Sequence, residues 1–268
     1  MSSSFKNPRD TAIAIANTGE IKNNSQLSHT VLLAFLAGAY MAFGVLVAEI
    51  SNAGMLDLGY PIGLSKFVFG AVYPVGSIII LVAGSELFTG NILYMTIGLL
   101  DNKASFRGLV RNWILSWIFN FVGALFVAYV LAYLSGAIFV DSAVTSEAMG
   151  MAMVKVNLPW HEAFIRGIGC NWLVCLGNYL AFASEDVIGK IFGIWFPTMT
   201  FATIGFEQSV ANMFFLPLGL FLGAPGVNWI SILWNNLIPV TLGNVVGGII
   251  FVSLIYYKVY LNDRNPGS

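Results

Sequence analysis

Two glutamates stand inside apolar runs of this chain and are framed alike. Gly84-Ser-Glu86-Leu-Phe-Thr-Gly-Asn91 and Gly205-Phe-Glu207-Gln-Ser-Val-Ala-Asn212 both read G-x-E-x4-N. Ionisable groups near the middle of a stretch that can cross a bilayer are costly and are usually there for function. Both motifs lie in apolar runs that are too long for one straight span, so each is expected to break a helix. Glu86 and Glu207 are expected to be structural, accepting hydrogen bonds from backbone N–H groups freed at the breaks or staying protonated. Asn91 and Asn212 belong to the same breaks.

Other chemistry finds no support. Paired acids, H-E-x-x-H, G-x-S-x-G and a Cys/His set are all missing in usable spacing, so neither an enzyme nor a metal or cofactor is expected. Cys170 and Cys175 are five apart and face different sides of a helix, which makes them packing residues and a poor disulfide or metal pair.

The elements that carry the motifs follow from composition. Of 268 residues, 57% are hydrophobic and 9% charged, too few charges to cover a soluble globule of this size, and mean hydropathy is +0.80. The apolar residues fall in long uncharged runs and do not alternate, which favours membrane-spanning helices over an outer-membrane barrel. A net charge of −1 points to no nucleic acid partner.

Residues 31–50 read as the first span, matching the roughly 20 residues that cross a hydrocarbon core, with Glu49 at the far end. Residues 67–100, with Pro74, Gly76, Gly84 and Gly90 along them, are too long for one straight helix and too short for two; a helix broken over 86–91 fits. Residues 112–140 form the third span, 141–159 a looser segment, and 160–183 the fourth span, with Arg166 and Asn171 in it. Residues 191–222 repeat the plan of the second span with a break over 205–212, and 228–257 form the sixth. The expected fold class is all-α integral membrane protein: a tail over 1–28, helical at most around 11–16, one transmembrane domain over 29–257, and a polar tail over 258–268.

Basic residues set the orientation. Lys6, Arg9, Lys22, Lys103, Arg107, Arg111, Lys190, Lys258 and Arg264 fall on one side, and Lys66, Lys155 and Arg166 on the other. That bias puts both termini in the cytoplasm of a multi-pass protein. The two halves also match beyond the acids. Lys66-Phe-Val-Phe-Gly-Ala-Val-Tyr-Pro74 resembles Lys190-Ile-Phe-Gly-Ile-Trp-Phe-Pro197, and Asn120-Phe-Val-Gly123 resembles Asn244-Val-Val-Gly247, at offsets of about 121 to 124 residues. Repeat one covers about 29–140 and repeat two about 155–257. Three spans per repeat force the second copy into the membrane upside down, an architecture whose path runs through the repeat interface.

At this point the residues resemble the formate/nitrite transporter family, over about 28–257. Gly84-Ser-Glu-Leu-Phe-Thr-Gly90 looks like its first signature and Gly205-Phe-Glu-Gln-Ser-Val-Ala-Asn-Met-Phe214 like its second, with Cys170-Asn-Trp-Leu-Val-Cys175 as a third match. The resemblance implies an aquaporin-like bundle in a homopentamer of the cytoplasmic membrane, with one path per protomer for formate, nitrite, hydrosulfide or a similar small anion, often together with a proton. Lys155 matches a lysine that draws the anion into the vestibule, and Tyr73 an aromatic gate position. The family usually has histidine after the second glutamate, where this chain has Gln208, while His29 and His161 lie at span ends. Members lacking that histidine accompany formate dehydrogenase, which favours formate.

The path chemistry follows from size and charge. An anion entering low dielectric loses hydration worth many kcal/mol, so it must be neutralised or coordinated. Thr89 and Gln208 on the breaks and Asn171 from the fourth span are expected to form an uncharged polar set at the midplane. Gln208 would donate to the substrate while its oxygen accepts from Thr89 or backbone. Leu87, Phe88 and Phe201 would flank that set as hydrophobic constrictions. The expected function is a formate channel or proton-coupled formate transporter; the alternatives are a nitrite or hydrosulfide channel on the same scaffold, or a membrane anchor subunit without a path.

Overall fold

Each acid motif breaks its helix at a glycine in the left-handed backbone region, φ 82° at Gly84 and 87° at Gly205, where a residue bearing a Cβ would be strained. This computed structural model describes residues 5–262. Arg264 of the basic count, the first four residues and the end of the C-terminal tail lie outside the described residues. In chain order the helices are α1 (Pro8–Asn23), α2 (Leu27–Asn52), α3 (Ile62–Val72), α4 (Val75–Ala83), α5 (Phe88–Leu100), α6 (Phe106–Phe126), α7 (Ser142–Val156), α8 (Trp160–Ala183), α9 (Val187–Ile204), α10 (Ser209–Phe221), α11 (Ile238–Gly248) and α12 (Ile255–Tyr260). Helix α6 runs on through a π-helical stretch, Val127–Leu134, and α11 is flanked by two more, Ser231–Leu237 and Ile249–Leu254.

The chain is an all-α integral membrane protein. Its second span is α3–α4 followed by the half-helix α5, and its fifth is α9 followed by α10. The breaks are shorter than the sequence suggests, Gly84–Leu87 and Gly205–Gln208, because one left-handed glycine and one extended residue suffice to restart the helix. Thr89, Asn91 and Asn212 therefore lie within the first turns of α5 and α10, not on irregular backbone. Tyr73 and Pro74 make an additional kink between α3 and α4, whereas Pro197 stays inside α9.

Two other expectations change. The segment over 141–159 is not loose: α7 occupies most of it, with the Asp141 side chain capping its start at the Ala143 N–H. The N-terminal segment is a 16-residue helix whose Ala12, Ile15 and Ala16 are buried against the half-helix α5. Gly19 of α1 meets Gly98 and the Tyr94 carbonyl of α5 so closely that a Cβ would overlap them. Both helices looked polar or irregular because only one narrow face of each is buried.

The helices run between two ends. Helix α2 starts at the end that holds both termini and finishes where Asn52 meets Glu147 of α7. Helix α8 runs back the other way, finishing where the Ala183 carbonyl accepts the Lys6 N–H. The halves thus enter in opposite directions. They also match at an offset of 133 over the helices preceding the breaks: α1 with α7, α2 with α8. Each repeat is therefore one surface helix plus three spans, a larger unit than the sequence comparison delimited.

Candidate functional site

Glu86 and Glu207 are each met by one lysine and two asparagines. Glu86 pairs with Lys22 Nζ at 2.6 Å and accepts from Asn91 Nδ2 at 2.7 Å and Asn112 Nδ2 at 3.1 Å. Glu207 pairs with Lys155 Nζ at 2.8 Å and accepts from Asn212 Nδ2 at 2.7 Å and Asn236 Nδ2 at 3.3 Å. The carboxylates do not collect the N–H groups freed at the breaks, as the sequence suggested. Those groups are taken by a second pair of amides: Asn120 Oδ1 accepts from the Phe88 N–H and Asn244 Oδ1 from the Ser209 N–H, both at 2.9 Å. The same amides donate to the carbonyls of Glu86 and Glu207 and to those of Ala34 and Gly167. An amide can accept and donate at once, so it ties off both ends of a break, which a carboxylate cannot.

The lysines come from the two surface helices. Lys22 and Lys155 are each in the last turn of theirs, largely buried, and stand over an aromatic ring, Tyr94 at 5.3 Å and Phe215 at 4.8 Å. Each ion pair sits beside a cavity. The one on the side of the termini holds about 520 Å³ and is lined by Lys22, Glu86, Leu87, Asn91, Tyr94 and Asn178 among others. The one on the far side holds about 300 Å³ and is lined by Lys155, Glu207, Gln208, Phe201, Tyr73 and Phe215 among others.

A chain of uncharged groups, all nearly inaccessible, begins at the smaller cavity, which Tyr73 and Gln208 line, and ends at Thr89, which lines neither cavity. Tyr73 Oη donates to Gln208 Oε1 at 2.6 Å, and Gln208 Nε2 donates to Thr89 Oγ1 at 3.2 Å. The Gln208 amide is thus oriented opposite to expectation, its oxygen engaged by Tyr73 and its nitrogen by Thr89. Tyr73 combines an aromatic wall, edge-on to Phe201 with centroids 5.5 Å apart, and a polar tip. Leu87 and Phe201 line one cavity each. Phe88 lines neither; its ring packs edge-on against Trp113. Asn171 is also set apart. Its Nδ2 donates to the Asn244 carbonyl at 2.8 Å, bracing α8 against α11, and its Oδ1 is buried without a partner.

The family's sequence model, described as "Formate/nitrite transporter", matches residues 9–258. The chain belongs to the formate/nitrite transporter family. A "Probable formate transporter" of Methanothermobacter thermautotrophicus is 54% identical, the match covering 98% of this chain and all of that one. Among solved structures, an "FNT family ion channel" superposes with a TM-score of 0.81 at 29% identity, over 94% of this chain and 98% of the other. A "Pentameric formate channel with formate bound" gives 0.76 at 28% identity, over 87% and 96%. This family membership makes the chain a membrane transport protein and not an enzyme.

Several site residues of this transporter escaped sequence reasoning. Lys22, Asn112 and Asn236 complete the carboxylate clusters, and Tyr94 and Phe215 sit under the lysines. A signal for Lys22 existed, since it precedes α2 by five residues as Lys155 precedes α8. So did one for the asparagines, since Asn112 and Asn236 stand at the same 124-residue offset as Asn120 and Asn244.

Proposed function

We propose that this protein carries formate across the cytoplasmic membrane, with both termini on the cytoplasmic side and one path in each subunit of a homopentamer. The observation that carries the reading is the buried, uncharged Tyr73–Gln208–Thr89 chain, which two of its members join to the smaller cavity, together with a lysine-bearing cavity at each end of the molecule. A formate ion entering either cavity meets an ammonium, which favours the anion. Farther in, the surroundings become apolar and favour the protonated acid. Formate takes a proton from water on the entry side, the hydroxide left there being neutralised by a proton from the bulk solution on that side, and passes Leu87, Phe201 and Tyr73 as formic acid, exchanging hydrogen bonds with Gln208 and Thr89. The proton leaves on the other side, so flux is coupled to a proton. Asn171 serves the path by holding α8 against α11, and Phe88 by packing the first turn of α5 against α6.

The relatives described above as formate transporter and formate channel support formate over nitrite or hydrosulfide. The test is uptake of labelled formate, nitrite and hydrosulfide into proteoliposomes at two pH values. Formate uptake that rises with an inward proton gradient is expected; uptake indifferent to the gradient would rule out passage as the neutral acid. Gln208→His is expected to keep transporting, with a pH dependence that the amide does not give.

A further inference from the structure

On the side away from the termini, Glu147 lines the smaller cavity and Glu49, which does not line it, is buried one turn before Asn52; neither takes part in the passage just described. Glu49, in the last turn of α2, is fully buried, and neither of its carboxyl oxygens has a hydrogen-bond partner. One turn on and on the same face, Asn52 accepts from Ser65 Oγ at 2.5 Å and donates to Glu147 Oε1 at 2.9 Å. Asn52, Ser65 and Glu147 line the cavity together with Lys155. The charges that act on Glu49 are Glu147 and Lys155, both of α7.

The fold does not require these acids. Carrying the 133-residue offset across places Phe182 opposite Glu49 and Ala14 opposite Glu147. The other half thus builds the same surface helix and span with no acid at either place. What one copy of an internal repeat does without is present in the other for something besides folding.

An ionised Glu49 would be fully buried with no protein hydrogen-bond donor, and so would carry much of the desolvation cost of a buried charge. An ionised Glu147 would repel an anion at the mouth of a cavity whose Lys155 is already matched by Glu207. Proton binding removes both obstacles. Burial pushes the Glu147 carboxyl above its usual range; the hydrogen bond from Asn52 opposes this and the nearby Asp57 adds to it. The remaining charges around the pair are Lys66 of α3 and Arg166 of α8, which line the cavity. Helices α4 and α10 and the π-helical stretch after α6, all packed on α2, carry no charged residue, and Arg107 and Arg111 of α6 lie at the opposite end.

We propose that Glu147, on the lining of the smaller cavity, and the buried Glu49 together form a proton-binding site, and that its occupancy sets how readily a small anion enters from that side. The inference rests on the anion passage proposed above.

Labelled formate exchange in proteoliposomes of the full chain, with equal pH on both sides and varied from about pH 5 to about pH 8 to span a perturbed carboxyl, tests it. Expressing each variant relative to wild type cancels the change in formic acid with pH. Glu49→Gln and Glu147→Gln are expected to exchange formate about five-fold faster than wild type at the alkaline end, the effect of one unit charge in a partly screened mouth. The ratio is expected to fall to one at the acidic end. Glu147 is on a partly exposed helix, so its variant keeps the test alive if Glu49→Gln does not fold. Infrared spectra give a second readout: the carbonyl stretch of a protonated carboxyl should titrate with pH and disappear in Glu49→Gln. A ratio that stays constant with pH overturns the inference. Should wild type exchange no formate, the functional reading fails, and an infrared band unchanged in Glu49→Gln then overturns the proton site independently.

Discussion

The two halves of the path are copies of one design, and they are most alike away from the path centre. Glu86 and Glu207, Asn91 and Asn212, Asn112 and Asn236, Asn120 and Asn244, and Lys22 and Lys155 make matching contacts around the acids on the two sides, with Asn236 adding bonds to Asn212 and to the Lys155 carbonyl that Asn112 lacks. At the waist the copies differ. Leu87 stands where the other half has Gln208, and Thr89 where it has Val210. Each half supplies one polar and one apolar residue, so the waist gains a short hydrogen-bonded chain without a ring of polar groups. The shared residues answer to the cost of breaking a helix in lipid, which both halves meet equally. The residues that differ are free to be shaped by what passes.

The comparison breaks most visibly at the ion pairs. Lys155→Met leaves Glu207 buried and unmatched, and Lys22→Met does the same to Glu86. Removing one partner of a buried pair costs about 3–5 kcal/mol. Thermal unfolding in detergent should show a loss of that order for both single variants, and recovery of most of it when Glu207→Gln joins Lys155→Met. A tolerated Lys22→Met beside a damaging Lys155→Met would show that the halves are alike in geometry but not in load.

Next come the amides that tie off the breaks. Asn120→Ala and Asn244→Ala each orphan a buried N–H at the start of a half-helix, for a loss of about 1–3 kcal/mol. The two losses should agree, since the hydrogen-bond sets coincide. The waist should behave differently. Gln208→Leu makes that position like Leu87 and deprives Tyr73 of its acceptor. Formate flux should fall about ten-fold, the equivalent of one net hydrogen bond in the path, while detergent stability changes less than in the asparagine variants. A stability loss as large as theirs would reassign Gln208 to the scaffold.

Much of this arrangement was legible in the chain itself. Glu86 and Glu207 announced the breaks because a charge inside an apolar run has few innocent explanations, and three matches in register gave the inverted repeat. The lysine partner of Glu86 was overlooked, because Lys22 sits in a segment whose composition reads as a tail and whose helix buries only one face. Misreading α1 and α7 hid the fact that each repeat begins with a lysine-bearing helix. Gln208 and Thr89 were found as polar residues on the breaks. Asn171, chosen by the same logic, braces two helices, since depth along a helix does not tell which face a side chain takes. Tyr73 was read as a wall, and its hydroxyl contact with Gln208 depends on the kink at Pro74, which sets how α3 enters the centre.

The smallest expected effect concerns how the broken spans begin. Helix α9 is capped by Asp186, whose Oδ1 accepts the Gly189 N–H at 2.7 Å, while α3 starts at Pro61 with no side-chain cap. The Gly189 N–H holds the exposed Asp186 carboxyl below its usual range. A depressed carboxyl stabilises the fold at pH above its unfolded value, and that contribution is lost as pH falls through the folded value. Amide hydrogen exchange at the first turn of α9, corrected for intrinsic rates, should therefore quicken on acidification below the carboxylate range. The first turn of α3 should show no such step. Asp186→Asn should keep the cap and abolish the step, because asparagine accepts the same hydrogen bond without titrating. A step that survives in Asp186→Asn would place its origin elsewhere in the connection between α8 and α9, where Glu185 pairs with Lys6 and fastens α1 to the bundle.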